Sequence, residues 1–102
     1  MDTFCKIANK ELPATILHEG DEFMAILDIA PHTEGHTLII PKEHIRDMSE
    51  LSKASMLKIF HYIQNREKEL YAMGYDSIMM RINMGKAQEI PHLHIHMWGE
   101  KV

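Results

Sequence analysis

The chain has 102 residues, of which 45% are hydrophobic and 25% are charged, and its formal net charge is -4. A chain of this length folds around one core, so we predict a single domain over residues 1–102. The acidic balance argues against nucleic-acid binding, and no apolar run approaches the roughly 18 residues of a membrane span. The single cysteine, Cys5, excludes an intrachain disulfide and fits a reducing, cytoplasmic compartment.

The N-terminal part of the chain predicts a short helix and a hairpin. Residues 3–12 have the pattern of a brief helix that Pro13 ends. Two apolar runs, Ile16–Glu19 and Phe23–Asp28, flank the polar turn Gly20–Glu22. Such runs on either side of a turn that contains glycine indicate two antiparallel strands.

A loop and a central strand follow the hairpin. Residues 28–35 contain proline, glycine and polar side chains in the proportions of a loop. The next segment, His36–Pro41, is an apolar, β-branched run bounded by Gly35 and Pro41. This composition is typical of a buried strand near the middle of a sheet.

The apolar period changes to that of a helix between Ser49 or Ser52 and Met73, and Gly74 supplies a stop signal. The predicted apolar stripe of this helix contains Met56, Ile59, Phe60, Ile63 and Leu70. Its predicted polar side contains Lys58, Gln64, Arg66, Lys68 and Glu69. We expect this long helix to cover one face of the sheet.

Two further strands are predicted near the C-terminus, Ser77–Asn83 and His92–Trp98, joined by the polar loop 84–90. The order of elements indicates an α+β fold. We predict about five strands in a mostly antiparallel sheet, with one short N-terminal helix and one long helix. If the last two strands are neighbours, Asn83 lies at the end of the sheet where His92 begins.

The stretch Pro91–Trp98 carries the clearest functional signal. Its histidines, His92, His94 and His96, are spaced by two, so in a strand they share one face while the apolar residues between them face the core. Three neighbouring imidazoles fit a zinc site, nucleophilic catalysis at phosphorus, or a polar strand face that happens to contain histidines. The spacing alone leaves all three interpretations open.

The same stretch resembles the histidine triad motif, His-φ-His-φ-His-φ-φ with φ an apolar residue, that defines the histidine triad (HIT) superfamily. Three other regions are similar to the family's signatures: Phe4–Ile7 with Glu11–Ala14, Asp28–Pro31 with Gly35–His44, and the run from Asn83 to Pro91. The resemblance covers nearly the whole chain and points to the small Hint-like branch. It implies a single HIT domain and a homodimer.

The resemblance implies a hydrolase or transferase that cleaves purine nucleoside phosphoramidates or AMP conjugates through a nucleotidyl-histidine intermediate. His94 would be the nucleophile, and His96 would contact the phosphoryl oxygens. His92, paired with His36, would carry a proton to the leaving group. Histidine suits both tasks because it titrates near neutral pH, and no cofactor is required.

The resemblance also implies a site for a purine nucleotide of the AMP or GMP type. Asp28 would bind the ribose hydroxyls, Ile29 would help to form the base pocket, and Asn83 and Gln88 would donate to the phosphate. From position alone, Asp28 is equally well a loop-capping acid, Asn83 a turn former and Gln88 a solvated side chain. The loop that ends at His92 is shorter than the family's Asn-x-Gly-x-x-Ala-Gly-Gln form and lacks its second glycine.

Some relatives carry a structural zinc on a Cys-x-x-Cys pair and two histidines. Here Asp2 stands in the place of the first cysteine, which leaves Asp2, Cys5, His44 and His92 as an incomplete set, and the sequence leaves zinc open without favouring it. The histidines outside these motifs, His18, His32 and His61, are assigned to the surface or to packing.

Two alternatives to a hydrolase remain. The shorter loop after Asn83 is compatible with a nucleotide-binding scaffold that has little activity. The three triad histidines are compatible with a zinc-binding protein that uses the triad itself.

Overall fold

A computed structural model describes all 102 residues. The five strands are β1 (Ile16–Glu19), β2 (Phe23–Leu27), β3 (Thr37–Pro41), β4 (Ser77–Ile82) and β5 (Ile95–Glu100). They form one antiparallel sheet in the order β1-β2-β3-β5-β4. The predicted α+β class, with five strands, a short N-terminal helix and one long helix, is confirmed. None of the helices is both long and apolar enough to cross a membrane. The helices are α1 (Thr3–Ala8) and α2 (Lys53–Ala72), with single 3₁₀ turns at Met48–Glu50 and Gly85–Ala87.

The strands β2 and β3 are buried on both faces, and the alternation of side chains along them divides the core into two clusters. On β2, Phe23 and Ala25 belong to the cluster under α2, whereas Met24 and Ile26 belong to the cluster under α1. Successive residues of a strand point to opposite faces, so one buried strand supplies both clusters. The α1 face also carries His94 and His96, whereas the α2 face is filled by apolar side chains.

The helix α1 is shorter than predicted. It begins after Asp2, whose carboxylate accepts the Cys5 N–H at 2.8 Å. It ends at Ala8, because Lys10 adopts a left-handed conformation with φ of 63°. The N–H groups of Lys10 and Glu11 then bond back to the carbonyls of Ile7 and Lys6, which terminates the helix four residues before Leu12.

The prediction that all three triad histidines lie in one strand is wrong. Only His96 is in β5, which begins at Ile95. The N–H of His92 donates to the carbonyl of Ile90 at 2.8 Å, and the N–H of Leu93 donates to the carbonyl of Ile45 at 2.7 Å. Because these two N–H groups bond to loop carbonyls, the chain begins to pair with the neighbouring strands only at Ile95. The apolar residues between the histidines do face the core, as predicted.

The predicted faces of α2 are partly wrong. Ile59 and Leu70 are buried as expected, but Phe60 is 55% exposed. Arg66, assigned to the polar side, is 7% exposed. Its guanidinium donates to the Thr37 hydroxyl at 2.7 Å and to the Gly35 carbonyl at 3.0 Å. A buried arginine therefore ties α2 to the start of β3.

We expect Arg66→Met to lower the free energy of unfolding by about 2 kcal/mol, because the hydrogen bonds to Thr37 and Gly35 and the ion pair with Glu69 are lost. Lys68→Met, on the exposed side of the same helix, is the matched control and should change stability little. Urea denaturation of the three proteins measures the difference. Equal midpoints for the two variants would contradict this role of Arg66.

Candidate active site

A cavity of about 430 Å³ opens on the α1 face of the sheet. This volume is within the usual range for small-molecule sites. Of the predicted site residues, Asp28, Ile29, Asn83, His94 and His96 line it. Its apolar wall comes mainly from α1 and the ends of β2 and β3. The fold therefore brings five of the eight predicted catalytic and nucleotide-binding residues to one cavity.

His94 is held in a defined tautomer. Its Nδ1 lies 2.7 Å from the backbone carbonyl oxygen of His92. A carbonyl only accepts, so this contact assigns the proton to Nδ1 and leaves the lone pair on Nε2. The ring is 5% exposed and lies beside Phe4, with ring centroids 4.9 Å apart. A packed ring with a free Nε2 is the arrangement that a nucleophile requires.

His36 and His96 form a hydrogen-bonded pair with assigned protons. The N–H of His32 donates to Nδ1 of His36 at 3.0 Å, so the proton of neutral His36 is on Nε2. That Nε2 lies 3.0 Å from Nδ1 of His96 and donates to it. The proton of His96 is therefore on Nε2, where it is a donor. The Asp28 carboxylate lies beside both rings, at 3.5 Å and 3.7 Å.

The environment keeps this pair neutral at pH 7. Burial, together with the nearby His94, His36 and Arg81, lowers the pKa of His96 to about 4 against the opposing effect of Asp28. Burial also lowers the pKa of His36, again against Asp28. His96 is thus a neutral donor in the free protein, and a bound anion would favour its protonation.

Acid should destabilise the fold through His96. Its pKa is about 4 when folded and near 6.5 when unfolded, so the unfolded chain binds the proton first. This stability is present above pH 6.5 and is lost as the pH falls towards 4. After discounting for partial solvent access, we expect a loss of about 2 kcal/mol. Urea midpoints at pH 7 and pH 4 measure it, and His96→Asn should reduce the pH dependence. Identical pH dependence in both proteins would refute the assignment.

The expected pairing of His92 with His36 is wrong. His36 contacts His96, and the fully buried His92 ring faces the other way. Its Nε2 donates to the Pro41 carbonyl at 2.9 Å, and its Nδ1 lies 3.1 Å from the Asp2 carboxylate. The His92 ring can point away from His36 because His92 precedes β5 and does not follow the alternation of side chains along that strand. The three triad rings therefore do not converge on one metal position.

His92 belongs instead to a second cluster. The ligand atoms of Asp2, Cys5, His44 and His92 all lie within 4.8 Å of one another. The Cys5 sulfur is 3.4 Å from Nδ1 of His44 and 3.5 Å from Nδ1 of His92. Oδ2 of Asp2 is 2.8 Å and 3.1 Å from the same two nitrogens. The set that looked incomplete in the sequence is complete in space.

This cluster fits a tetrahedral zinc ion. Zinc bond lengths of about 2.0–2.3 Å require ligand atoms roughly 3.3–3.6 Å apart. The two sulfur–nitrogen separations lie in this range, whereas the two oxygen–nitrogen separations of 2.8 Å and 3.1 Å are shorter and would lengthen around an ion. The carboxylate also suits zinc, since its pKa is held below the ordinary range: burial opposes this, but the Cys5 N–H and His92 outweigh it. Burial raises the pKa of the Cys5 thiol, so a cation would be needed to hold it as thiolate.

Gln88 is not at the cavity. Its amide nitrogen donates to the Arg46 carbonyl at 2.7 Å, and its buried oxygen has no partner. The short loop explains this, since the chain turns immediately into the 3₁₀ turn Gly85–Ala87. The predicted contact between Gln88 and the phosphate is therefore not what the structure supports, whereas Asn83 lies at the cavity wall.

Several site residues were not predicted. Arg81 and Phe4 line the cavity, Trp98 packs against His36 with ring centroids 5.1 Å apart, and His32 contributes its backbone N–H. The position of Arg81 could have been predicted, because it lies two residues before Asn83 and so shares the same face of the predicted strand. The role of His32 could not have been predicted, since it depends on the loop conformation.

Comparisons with known proteins point to a single family. The sequence matches the model of the HIT domain over residues 9–101. It is 38% identical over 96 residues to the adenosine 5'-monophosphoramidase hnt1 of Schizosaccharomyces pombe, an alignment that covers 92% of this chain and 70% of that protein.

Two solved structures are similar throughout. A HIT family member from Bacillus subtilis superposes with a TM-score of 0.90 at 30% identity, covering 97% of this chain and 72% of the other. A HIT family hydrolase from Legionella pneumophila superposes with a TM-score of 0.80 at 31% identity, covering 98% and 93%. With the family model matched over most of its length, this chain belongs to the HIT family.

Proposed function

We propose that this chain is a HIT hydrolase that cleaves purine nucleoside phosphoramidates or AMP conjugates through a nucleotidyl-His94 intermediate. The observation that carries the proposal is the contact of 2.7 Å between Nδ1 of His94 and the His92 carbonyl, which leaves Nε2 free at the wall of a cavity of nucleotide size. The activity in the name of the Schizosaccharomyces pombe relative supports the same reaction. We place this activity in the cytoplasm.

The first step forms a bond between Nε2 of His94 and the α-phosphorus, and it breaks the bond to the leaving amine. Negative charge on the phosphoryl oxygens is met by the Nε2–H of His96 and by the Asn83 amide. Asp28 binds the ribose hydroxyls, while Ile29 covers the base. Water then attacks phosphorus, releases the nucleoside monophosphate and restores His94.

The leaving amine must gain a proton as the phosphorus–nitrogen bond breaks. We assign this task to the pair His36 and His96, in place of the relay through His92. A bound phosphate places negative charge beside His96 and raises its proton affinity. The pair then takes a proton from solvent and passes it to the amine. His92 acts on the reaction only through its carbonyl, which orients His94.

The direct test is release of AMP from adenosine 5′-phosphoramidate, followed by chromatography. The wild type and His61→Ala, a substitution on the exposed face of α2, should both turn over. The position of Gln88 away from the cavity favours one competing function, a nucleotide-binding scaffold. AMP binding by calorimetry with no release of AMP would support the scaffold and contradict the hydrolase.

We also propose that Asp2, Cys5, His44 and His92 hold a structural zinc ion. When bound, the ion would supply a cross-link between the start of α1 and the segment that leads into β5. The fit of the four donor atoms supports this role. No step of the proposed reaction passes through the ion.

Metal removal should therefore act on stability. Zinc added to chelator-treated protein at about 100 times its dissociation constant should stabilise the fold by about 2.7 kcal/mol, which raises the melting temperature by about 10 °C. Calorimetry of the wild type and Cys5→Ala, each with and without zinc, tests this. A shift of equal size in Cys5→Ala, or none in the wild type, would contradict the zinc site.

A homodimer is the proposed assembly. The strand β4 is an edge strand of six residues, and an unprotected edge of that length invites pairing. Met80 on β4 and Leu57 and Phe60 on α2 are 50%, 73% and 55% exposed. A second copy would cover these apolar side chains. Sedimentation of the wild type and Phe60→Glu tests the assembly, with a monomeric wild type as the contradicting result.

A further inference from the structure

We propose that Arg81 makes this site selective for substrates whose leaving group carries a negative charge, as a carboxylate or a phosphate. The proposal rests on the proposed hydrolase function and names a substrate class for it. It follows from where Arg81 lies, from its lack of a hydrogen-bond or ion-pair partner, and from the distribution of charge around the cavity.

The sheet register places Arg81 beside the triad. In the antiparallel pair of β4 and β5, Arg81 lies directly opposite His96. Side chains of opposed residues point to the same face, so Arg81 stands next to His96 and lines the same cavity. Its guanidinium carbon lies 5.7 Å from the centre of the Trp98 ring. This contact holds the Arg81 side chain against the indole ring and leaves the guanidinium N–H groups free to donate to a ligand.

Arg81 has no hydrogen-bond or ion-pair partner within the chain. Its side chain contacts the Trp98 ring but forms no hydrogen bond, and no carboxylate lies within 4.0 Å of it. By contrast, Arg66 bonds to three groups. Lys10 and Lys58 are paired with glutamates. An arginine that lines a cavity without a partner has five donors available for a ligand.

The two ends of the site differ in charge. Asp28 and the exposed Ile29 lie at the end of β2, where we place the ribose and base. The sheet order puts β5, with His96, between that side and β4. With the nucleoside on the Asp28 side and the phosphate at His96, the leaving group lies towards Arg81 and Asn83. The wall also contains Glu89, which makes no ion pair with Arg81.

Arginine binds carboxylates and phosphates through paired hydrogen bonds, and it gains nothing comparable from a neutral amine. A contact with the leaving group and a contact with the α-phosphate have different consequences. Loss of a contact with the leaving group changes the preference between charged and neutral leaving groups. Loss of a contact with the α-phosphate slows all substrates by the same factor, because every substrate carries the α-phosphate.

Three AMP phosphoramidates distinguish these cases. Their amines are an ω-amino acid, its neutral carboxamide of the same shape, and the analogue with a phosphate in place of the carboxylate. We expect the wild type to prefer the charged conjugates over the carboxamide by about three- to tenfold in kcat/KM, the size of a partly exposed charge pair. Comparison of kcat/KM for the carboxylate and phosphate conjugates then shows which anion the site prefers.

Arg81→Met should bring that preference close to one, mainly by slowing the charged conjugates. Arg81→Lys should keep part of it, because the charge remains. Lys86→Met, in the neighbouring 3₁₀ turn, is the matched control and should keep the full preference. An unchanged preference in Arg81→Met would overturn the proposal, as would an equal loss on all three conjugates.

Binding separates this proposal from the hydrolase itself. Calorimetry with the three conjugates on His94→Ala, with and without Arg81→Met, measures the same preference without turnover. If wild-type protein cleaves none of them, the hydrolase fails, yet a preference for charged conjugates that disappears with Arg81→Met still supports the anion contact. If binding shows no preference, the anion contact fails whatever the turnover.

Discussion

His94→Ala should lower kcat for an AMP phosphoramidate by at least about 10⁴-fold, because the reaction loses the atom that attacks phosphorus. No neighbouring imidazole can replace it. The Nδ1 of His96 accepts from His36, its Nε2 carries a proton, and the His92 ring points into the cluster with Asp2. The remaining walls of the cavity are unchanged, so AMP should still bind.

Steady-state rates and AMP calorimetry measure both quantities on the same preparation. His61→Ala is the histidine-to-alanine control, on the exposed face of α2. A His94→Ala protein that retains more than about a tenth of the wild-type kcat would remove His94 from the chemistry. Loss of AMP binding together with turnover would instead assign His94 to binding.

His36→Leu should lower kcat by about 10²- to 10³-fold, the usual effect of losing one preorganised donor. Without the Nε2–H of His36, no group fixes the proton of His96 on Nε2, and half of the relay is missing. His36 has 1% of its side chain exposed and does not line the cavity, so KM should change much less than kcat.

His36→Gln is the conservative partner of this variant. The glutamine amide can accept from the His32 N–H and donate to Nδ1 of His96, as the imidazole does. It should recover part of the donor function but none of the proton relay, so its kcat should lie between those of the wild type and His36→Leu. Melting curves of both variants control for folding. Equal kcat values for glutamine and leucine would show that the His36–His96 contact does not matter.

The fold was largely accessible from the sequence, because its signals are local. The hairpin is marked by apolar runs around Gly20–Glu22, the central strand by Gly35 and Pro41, and α2 by its apolar period and by Ser52 at its start. Each signal involves residues that are neighbours in the chain. The errors concern side chains whose partners are distant in sequence.

Arg66 and Phe60 illustrate the difference. A hydropathy pattern assigns arginine to solvent, but Arg66 satisfies its donors on Gly35 and Thr37, about 30 residues away. Phe60 is apolar and exposed because the face it occupies is not covered within one chain. Neither fact is contained in the spacing of residues along α2.

The site was predicted in part for the same reason. The motif brings His94 and His96 to the cavity, and Asp28 and Asn83 reach it from neighbouring strands. The partner of His92 was assigned by analogy to His36, but the chain enters β5 only at Ile95. His92 is therefore free to turn towards Asp2, a contact across 90 residues that the family resemblance implied through the zinc set but that no local pattern shows.

The measurement that bears most directly on the proposed function is intact-mass analysis of the wild type, quenched in acid-free conditions within the first turnover of an AMP phosphoramidate. We expect a mass increase of one adenylyl group, located on the peptide that contains His94 and absent from His94→Ala. Turnover with no adduct at any time, or an adduct on another residue, would contradict a nucleotidyl-His94 intermediate.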